Sequence, residues 1–296
     1  MRRRIAVVGS GPAGLTFARV LHRHGCSVAV LERDPALDAR PPGGTLDLHE
    51  GLGQLALDKA GLLAEFRALS RPEGQAMRIL DTDGTVLRDW RPGPDDRANP
   101  EIDRGHLRDL LLGPLDVRWG RAVTRVEPGT RDGVLVHFAD GRQEAFDLVV
   151  GADGAWSRVR PAVSPVTPHY TGVTLVETSL DDVDTRHPDL ARLIGDGSVA
   201  VYGVNRALVA QRNSGGHVKV YGAGANLAML EGAELAESLA TGPGDPDEAV
   251  RAFEERMWAR AGRWAEITTA GLERLVSPDP AEALALFDQV NQAQPS

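Results

Sequence analysis

Three glycines near the amino terminus have the spacing that a nucleotide pyrophosphate requires. Gly9, Gly11 and Gly14 follow the apolar residues 5–9 and open a segment with helical periodicity. Gly9 permits a tight turn, Gly11 lets the backbone approach a pyrophosphate at the positive end of the helix, and Gly14 permits close packing. Glu32, at the end of the next apolar run, can accept hydrogen bonds from ribose hydroxyls. The pattern predicts dinucleotide binding; a purely structural glycine turn is the alternative.

The elements that must position these residues are a strand, a helix and a second strand. Residues 5–9 are continuously apolar, residues 12–24 carry apolar side chains at helical spacing, and residues 27–31 form another apolar run. A strand, helix and strand within about 30 residues form the parallel crossover unit, which is right-handed by default. The sequence therefore predicts a Rossmann-type sheet at the amino terminus.

The pattern later changes to the period of two that is typical of antiparallel strands. Residues 121–150 contain three such segments, and Asp140-Gly141 between the last two is a strong hairpin signal. The third segment, residues 143–150, is predicted as one strand. Residues 172–221 are again rich in strand patterns, which predicts a second sheet, and helical patterns follow.

Three further motifs extend the chemistry beyond the glycine triplet. They are Ala39-Arg40 followed by residues 43–49 (GGTLDLH), residues 99–104 (NPEIDR) with Leu107 and Leu111, and residues 151–160 (GADGAWSRVR). Together with the glycine triplet, these segments resemble the class A flavoprotein monooxygenases, most closely the tetracycline-inactivating branch, almost letter for letter. The last segment corresponds to the second fingerprint of that family, the Asp-Gly motif.

The resemblance implies that FAD binds non-covalently and assigns residues along it. Glu32 and Arg33 would hold the adenosine end, and Asp47 and Arg104 would contact the flavin-bearing part. Arg40 would meet the nicotinamide cofactor. The other residues assigned to cofactor binding in these segments are Gly9, Gly11, Pro12, Ala13, Gly14, Leu107, Asp153 and Gly154.

The Asp-Gly motif has a predicted place beside the pyrophosphate. By the resemblance, Asp153 and Gly154 lie near the pyrophosphate and the transient nicotinamide path, and Arg160 supports the loop. Arginines are more commonly solvated or ion-paired at a protein surface. We favour the functional interpretation of Arg104 and Arg160 because each lies inside a matching motif.

A third glycine-rich segment opens a helix near the carboxyl end. Gly222, Gly224 and Asn226 resemble the family segment whose helix start faces the pyrimidine edge of the flavin. Free amides and the positive end of a helix dipole can stabilise negative charge there. The alternative is an ordinary helix start with good capping residues.

The family pattern breaks just before this helix. The family carries an apolar strand ending in Gly-Asp-Ala-Ala-His, whose aspartate binds the ribityl chain, but here Tyr221 is followed directly by Gly222. Residues 195–197 (GDG) lack the following Ala-Ala-His, and we interpret them as a turn. Either a segment between Tyr221 and Gly222 is unresolved, or it has been deleted. We favour the first explanation, because a deletion would remove a central strand and leave apolar faces unburied.

Composition argues against several other classes of protein. The formal net charge of -9 argues against a nucleic-acid partner. The single cysteine, Cys26, excludes an intrachain disulfide and a thiolate metal cluster, which fits a reducing compartment. No apolar run of about 18 residues and no signal-peptide pattern occur, so we expect a cytoplasmic protein without a membrane segment. We also expect a monomer or weak dimer. His22 and His24 do not share a helix face, so no metal is expected.

The predicted fold is α/β: a Rossmann-type FAD-binding domain like those of glutathione reductase and p-hydroxybenzoate hydroxylase, a β-sheet substrate domain and C-terminal helices. The predicted limits are residues 1–60, 85–168 and 222–270 for the FAD-binding domain, 61–84 and 169–221 for the substrate domain, and 271–296 for a C-terminal helix and tail.

The resemblance implies a hydroxylase in which NADPH reduces FAD and O2 reacts at the flavin, so no catalytic side chain is assigned. It places Glu177 and Arg206 near a polycyclic aromatic or polyketide-like substrate. Glu177 stands where the tetracycline-inactivating branch has an amide side chain, which argues against tetracycline itself. Two alternatives are a flavin oxidoreductase of the same fold that does not hydroxylate and a truncated, non-catalytic flavin-binding protein.

Overall fold

A computed structural model gives the fold of the chain. It describes residues 3–41, 43–129, 133–169, 177–203, 206–220, 226–241 and 247–260, together with residue 285. The strands are β1 Ile5–Val8, β2 Val28–Leu31, β3 Thr45–Asp47, β4 Met77–Leu80, β5 Val86–Trp90, β6 Glu101–Asp103, β7 Val117–Arg118, β8 Val123–Glu127, β9 Val134–Phe138, β10 Gln143–Phe146, β11 Leu148–Gly151, β12 Thr178–Leu180, β13 Ser198–Gly203, β14 Arg206–Arg212 and β15 Val218–Val220.

Helices connect and cover the strands. The α-helices are α1 Pro12–Arg23, α2 Leu55–Lys59, α3 Leu63–Leu69, α4 Arg104–Leu112, α5 Val183–Arg186, α6 Pro188–Ile194 and α7 Asn226–Thr241, and residues 247–260 are also helical. Among the helices that the structure describes, none has both the length and the apolar character needed to cross a bilayer.

The first sheet is the parallel sheet that the amino-terminal pattern predicts. Its strand order is β11-β1-β2-β7, and each neighbouring pair is parallel. Helix α1 joins β1 to β2 and buries Leu15, Phe17 and Leu21. Strand β1 lies between two other strands and is buried at all four positions, so its residues are continuously apolar rather than alternating. The Rossmann-type crossover unit is therefore confirmed.

The predicted meander forms a three-stranded antiparallel sheet of order β10-β9-β8. One prediction within it is wrong, because residues 143–150 are not one strand. Strand β10 ends at Phe146 in the meander, and β11 begins at Leu148 in the parallel sheet. Asp147 lies at the break, where its side chain accepts a hydrogen bond of 2.6 Å from the Arg4 amide and directs the chain to β1.

The second sheet has the order β12-β15-β14-β13-β4-β5. The predicted strands near residues 198, 206 and 217 are β13, β14 and β15, whereas much of the one predicted to begin near residue 173 lies outside the described residues. Helices α5 and α6 cover one face of this sheet. The buried side chains between them are Leu80, Val183, Ala191, Ile194, Val199, Ala210 and Val218.

The domain limits stay a prediction, and two packing details bear on them. Strand β5 pairs with β4 in the second sheet, although residues 85–168 are assigned to the FAD-binding domain. Phe66 of α3 is fully buried in the same core as Phe17 of α1, although residues 61–84 are assigned to the substrate domain. Helical periodicity identifies the buried face of α3 but does not identify the sheet that covers it.

In the amino-acid sequence, Gly222 follows Tyr221 directly. The 296 residues contain nothing between these two positions. Our favoured explanation, an unresolved segment, is therefore wrong, and the family strand is absent from this sequence. Residues 221–225 lie outside the described part of the chain. Residues 195–197 form the predicted turn between α6 and β13, with Gly195 at a φ of +69°.

Helix α7 nevertheless packs on the amino-terminal helix. Met229, Ala233 and Ala236 are fully buried in the core that contains α1. A Cβ atom on Gly232 would lie 2.6 Å from the carbonyl oxygen of Ala13, so the two helices approach each other closely. Small residues on α7 therefore allow it to cover α1 at its amino-terminal turn.

This packing predicts the effect of Gly232→Ala. Alanine is the better helix former by roughly 1 kcal/mol, so helix propensity alone would stabilise the variant. We expect destabilisation by about 1–3 kcal/mol instead, because the added methyl group must push the Ala13 backbone away. Urea unfolding measures the difference.

The matched control is Gly51→Ala, in the helical segment Glu50–Gln54, where an added Cβ would meet no atom within 4 Å. This control should not lose stability. Stabilisation by Gly232→Ala, or equal loss in both variants, would contradict the close contact between α7 and α1.

Candidate functional site

Gly9 turns the chain at the end of β1 and lies against the end of β11. Its φ is +104°, and its amide donates a hydrogen bond of 2.8 Å to the Leu31 carbonyl oxygen. A Cβ atom at Gly9 would lie 2.4 Å from the carbonyl oxygen of Ala152, so no side chain fits. The glycine turn (residues 9–14) and the Asp-Gly loop (residues 152–160) are therefore adjacent.

The surface of the glycine turn is open at Gly11. A Cβ atom there would meet no atom within 4 Å. Helix α1 has 12 residues, and its first turn has neither an acidic residue nor a side-chain cap. Pro12 has no amide hydrogen, and the amides of Ala13 and Gly14 lie at the positive end of the helix dipole. This open surface, with amides that have no partner within the helix, fits the pyrophosphate of a dinucleotide.

Glu32 is a buried carboxylate beside this turn. It accepts hydrogen bonds from the Ser10 amide at 2.8 Å, the Ser10 hydroxyl at 2.7 Å and the Asp34 amide at 3.0 Å. Burial raises the pKa of Glu32, but the hydrogen bonds from Asp34 and Ser10 outweigh burial and bring the pKa below its ordinary value. Glu32 is therefore an ionised acceptor next to the glycine turn, as binding of ribose hydroxyls requires.

The two predicted arginines near Glu32 differ in their surroundings. Arg33 is exposed immediately after the carboxylate. The Arg40 guanidinium forms an ion pair of 2.6 Å with Asp34, and 55% of its side chain is exposed. The ion pair therefore places the Arg40 guanidinium beside Asp34, which follows Glu32 at the end of β2 by two residues.

Strands β3 and β6 form a short antiparallel ribbon with one apolar and one polar face. Leu46 and Ile102 point into the first core and are buried. Because side chains alternate along a strand, the residues between them share the opposite face. The residues of this polar face are Thr45, Asp47, Glu101 and Asp103.

The two residues predicted to contact the flavin-bearing part lie in the ribbon and directly after it. Asp47 contacts the His49 ring at 2.9 Å. Arg104 starts α4, directly after the ribbon, and its amide donates to the Gly44 carbonyl oxygen at 2.9 Å. Leu107, also assigned to the cofactor, is completely buried in the core. We now expect Leu107 to support α4 by packing, because it has no exposed surface that could contact a ligand.

The polar face of the ribbon contacts the second sheet. The Gln211 side chain of β14 donates a hydrogen bond of 2.9 Å to Glu101, and the Thr45 hydroxyl donates one of 2.7 Å to the other carboxyl oxygen. The Ser214 amide lies 3.3 Å from both carboxylate oxygens of Asp103. These contacts fix the second sheet beside the predicted flavin contacts.

Glu101 is the functional candidate that the sequence analysis missed. It is only 5% exposed. Burial and the neighbouring Asp47 carboxylate raise its pKa from 4.5 to about 7, against the opposing effects of Thr45, Arg71 and Gln211. In the sequence, the sign of a functional role is an acidic residue within the motif of residues 99–104. The sequence alone does not show that Glu101 faces Asp47.

The Asp-Gly loop is held by its own aspartate. Asp153 accepts hydrogen bonds of 2.6 Å from the Ser157 hydroxyl and from the Arg158 amide. Arg160 donates to the Ala155 carbonyl oxygen at 2.8 Å, which is the supporting role predicted by the resemblance. Gly154 has a φ of +82°, and a Cβ atom there would meet nothing within 4 Å. The loop is thus internally fixed and open at Gly154.

The predicted substrate residues lie in the second sheet. Glu177 forms an ion pair of 2.6 Å with Lys219 of β15. Lys219 pairs with Gln211 across β14 and β15, so it shares the sheet face that contacts Glu101. Arg206 begins β14 opposite Gly203. Through its ion pair with Lys219, the Glu177 carboxylate therefore lies near the sheet face that is turned toward the ribbon.

The third glycine-rich segment is largely outside the described residues. Gly222 and Gly224 lie outside the described residues, and Asn226 is the first residue of α7. Within the ranges that the structure describes, no group of three or more His, Cys, Asp or Glu side chains could hold a metal ion.

Ionisation of Glu101 should oppose folding. Its pKa is raised from 4.5 to about 7, so the folded chain binds more protons than the unfolded chain between these values, and stability falls as pH rises. A shift of this size corresponds to roughly 3 kcal/mol. We expect Glu101→Gln to unfold with a larger free energy than wild type at pH 8 and a smaller advantage at pH 5. Urea unfolding at both pH values tests this, and parallel pH profiles would contradict it.

Comparisons with known proteins agree with this geometry. The protein family described as "FAD binding domain" matches residues 2–207. The monooxygenase penA of Penicillium thymicola is 37% identical over 233 residues, which cover 73% of this chain and 53% of penA. The 3-amino-4-hydroxybenzoate 2-monooxygenase of Streptomyces cremeus is 37% identical over 186 residues, which cover 57% of this chain and 44% of that enzyme.

A solved structure extends the likeness to the whole fold. The tetracycline destructase Tet(51) has a TM-score of 0.73 at 17% identity, with 99% of this chain and 96% of that chain covered. At this identity the likeness shows the fold alone. The match to penA spans about half the length of that relative. From the family match, which covers more than half of its length, the chain belongs to the FAD binding domain family.

Proposed function

We propose that the protein is an FAD-dependent monooxygenase that uses NADPH and O2. The observation that best supports this proposal is the contact of Gly9 with Ala152, which brings the glycine turn and the Asp-Gly loop together. The names of the relatives support hydroxylation. FAD supplies hydride acceptance and oxygen activation when bound, so the protein needs no catalytic side chain of its own. In the overall reaction, substrate, NADPH, a proton and O2 give hydroxylated substrate, NADP+ and water.

The protein residues bind and orient the cofactor in this proposal. The open amides at the start of α1 would hold the pyrophosphate, and the ionised Glu32 would accept the ribose hydroxyls. Arg33 would lie at the adenosine end. Asp47 and Arg104 would contact the flavin-bearing part from the ribbon and from α4. Asp153 would fix the loop beside the pyrophosphate.

Gly222, Gly224 and Asn226 remain the proposed contacts at the pyrimidine edge of the flavin. Arg40 is the proposed contact for NADPH, because its guanidinium is half-exposed and oriented by Asp34. The single Cys26, which is a free thiol, fits a reducing compartment, and we propose a cytoplasmic location.

The substrate is proposed to be an electron-rich aromatic or polyketide-like compound. One relative acts on 3-amino-4-hydroxybenzoate, a phenol, and the similar Tet(51) structure is a tetracycline destructase. Glu177 and Arg206 would contact the substrate from the second sheet. The ion pair of Glu177 with Lys219 gives this face charged groups that a polar, hydroxylated ring system could bind.

Gly11→Val tests cofactor binding at the glycine turn. Gly11 has an extended backbone with a φ of -75°, which valine readily adopts, and the added side chain would project into open space. We therefore expect unchanged stability but at least about tenfold weaker FAD binding, since the side chain would fill the space of the pyrophosphate. Flavin fluorescence titration measures the dissociation constant.

The control for this variant is Gly93→Val, in a loop where an added Cβ also meets nothing within 4 Å. It should bind FAD like wild type. Wild-type affinity in Gly11→Val would show that the pyrophosphate does not lie at the start of α1.

Oxygen transfer tests the reaction itself. The FAD-loaded protein is incubated with NADPH and a panel of phenolic and polyketide compounds, and products are analysed by mass. We expect NADPH to bleach the flavin, O2 to restore its absorbance, and one compound class to gain a single oxygen atom. Labelled O2 should supply that atom.

The same assay separates the alternatives. NADPH consumption without any compound gaining oxygen would indicate a flavin oxidoreductase that does not hydroxylate. Bound FAD that NADPH does not reduce would indicate a non-catalytic flavin-binding protein. Either outcome would contradict the proposed monooxygenase.

A further inference from the structure

Glu101 is a buried carboxyl group between two sheets, and the proposed reaction does not use it directly. It is 5% exposed and accepts hydrogen bonds from Thr45 and Gln211. Its backbone amide and carbonyl pair with those of Arg71. A Cβ atom on Gly74 would lie 2.8 Å from the Glu101 side chain, so this residue is enclosed tightly. Burial of a carboxyl group costs free energy, which hydrogen bonds such as those from Thr45 and Gln211 partly offset.

A second carboxylate lies directly opposite it. Asp47 is the pairing partner of Glu101 in the β3–β6 ribbon, and paired residues point to the same face. Like charges at directly opposite positions destabilise a strand pair. Among the described residues, the charged groups that act on Glu101 include Asp47 and Arg71. His49 contacts Asp47, and Asp103 lies on the same face of the ribbon.

The hydrogen bonds of Glu101 can persist in both of its protonation states. An ionised carboxylate accepts from the Thr45 hydroxyl and from the Gln211 amide. A neutral carboxyl group can accept from Gln211 and donate to Thr45, because the Thr45 hydroxyl can rotate and accept. Protonation therefore changes the charge beside Asp47 while the connection to the second sheet remains.

We propose that Glu101 is a positioning residue that links the ribbon to the second sheet through Gln211 and that, by its charge, controls how Asp47 is available to FAD. Neutral Glu101 leaves Asp47 as the one carboxylate of the pair that is charged, whereas ionised Glu101 repels Asp47 and weakens FAD binding. The inference rests on the proposed function because Asp47 is assigned to the flavin-bearing part. The raised pKa of Glu101 puts the change near neutral pH.

The test is the FAD dissociation constant of the full chain, measured by flavin fluorescence at pH 6, 7 and 8. Wild type should bind FAD about three- to tenfold more weakly at pH 8 than at pH 6. One linked proton changes affinity by at most about tenfold per pH unit, and this change occurs only above the pKa of Glu101, which is about 7. Glu101→Gln is always neutral and should bind with the same affinity at all three pH values. Glu73→Gln removes an exposed carboxylate two residues from Arg71 and should follow wild type.

Thr45→Val supplies a second, independent variant. The Thr45 hydroxyl lowers the pKa of Glu101, so its removal should shift the pH midpoint of FAD binding upward. A residue with a merely structural role would change the affinity at every pH without moving the midpoint. Thr45→Val therefore keeps the inference testable even if Glu101→Gln folds poorly.

Several outcomes overturn the inference. If Glu101→Gln keeps the pH dependence of wild type, the titrating group is not Glu101. If wild type binds FAD equally at all three pH values, this inference fails while the proposed function stands. If the protein binds no FAD at any pH, the proposed function fails and this inference fails with it.

Discussion

The contact of Gly9 with the carbonyl oxygen of Ala152 is the constraint on which the nucleotide site depends. Because a Cβ atom would lie 2.4 Å from that oxygen, the glycine turn and the Asp-Gly loop can approach only if position 9 has no side chain. Parallel pairing of β1 with both β2 and β11 brings the ends of the three strands to one edge. Glu32 and Asp153 are therefore neighbours of the same turn, although they are far apart in the sequence.

A second constraint connects this edge to the rest of the molecule. The ribbon buries Leu46 and Ile102 in the first core and turns its acidic face to the second sheet. Hydrogen bonds from Gln211 and from the Ser214 amide satisfy that face. A polar junction of this kind fixes the orientation of two sheets only if its groups are paired, because an unpaired buried carboxylate would be strongly destabilising.

Sequence patterns predict the local elements well and their partners less well. The continuous apolar strands and the glycine spacing predict the crossover unit because a parallel strand buried on both faces leaves this signature. Residues 143–150 read as one strand, since periodicity does not reveal that Asp147 bonds to Arg4 and splits the segment between two sheets. In the same way, Phe66 shows a buried helix face without showing which core receives it.

The site residues show the same difference between local features and contacts with distant segments. The positions of Gly11, Glu32 and Asp153 are predictable because they follow from neighbours in the chain or from a family motif. The burial of Leu107, the ion pair of Arg40 with Asp34 and the position of Glu101 opposite Asp47 depend on contacts between distant segments. The packing of α7 on α1 likewise depends on contacts between distant segments.

The most direct test of this account is a crystal structure of the full chain with FAD. We predict that the pyrophosphate lies within hydrogen-bond distance, about 3 Å, of the amides at the start of α1 and that a ribose hydroxyl bonds to Glu32. The isoalloxazine ring should lie beside the ribbon that carries Asp47. FAD bound elsewhere on the protein, or no FAD density from crystals grown at saturating FAD, would contradict the account.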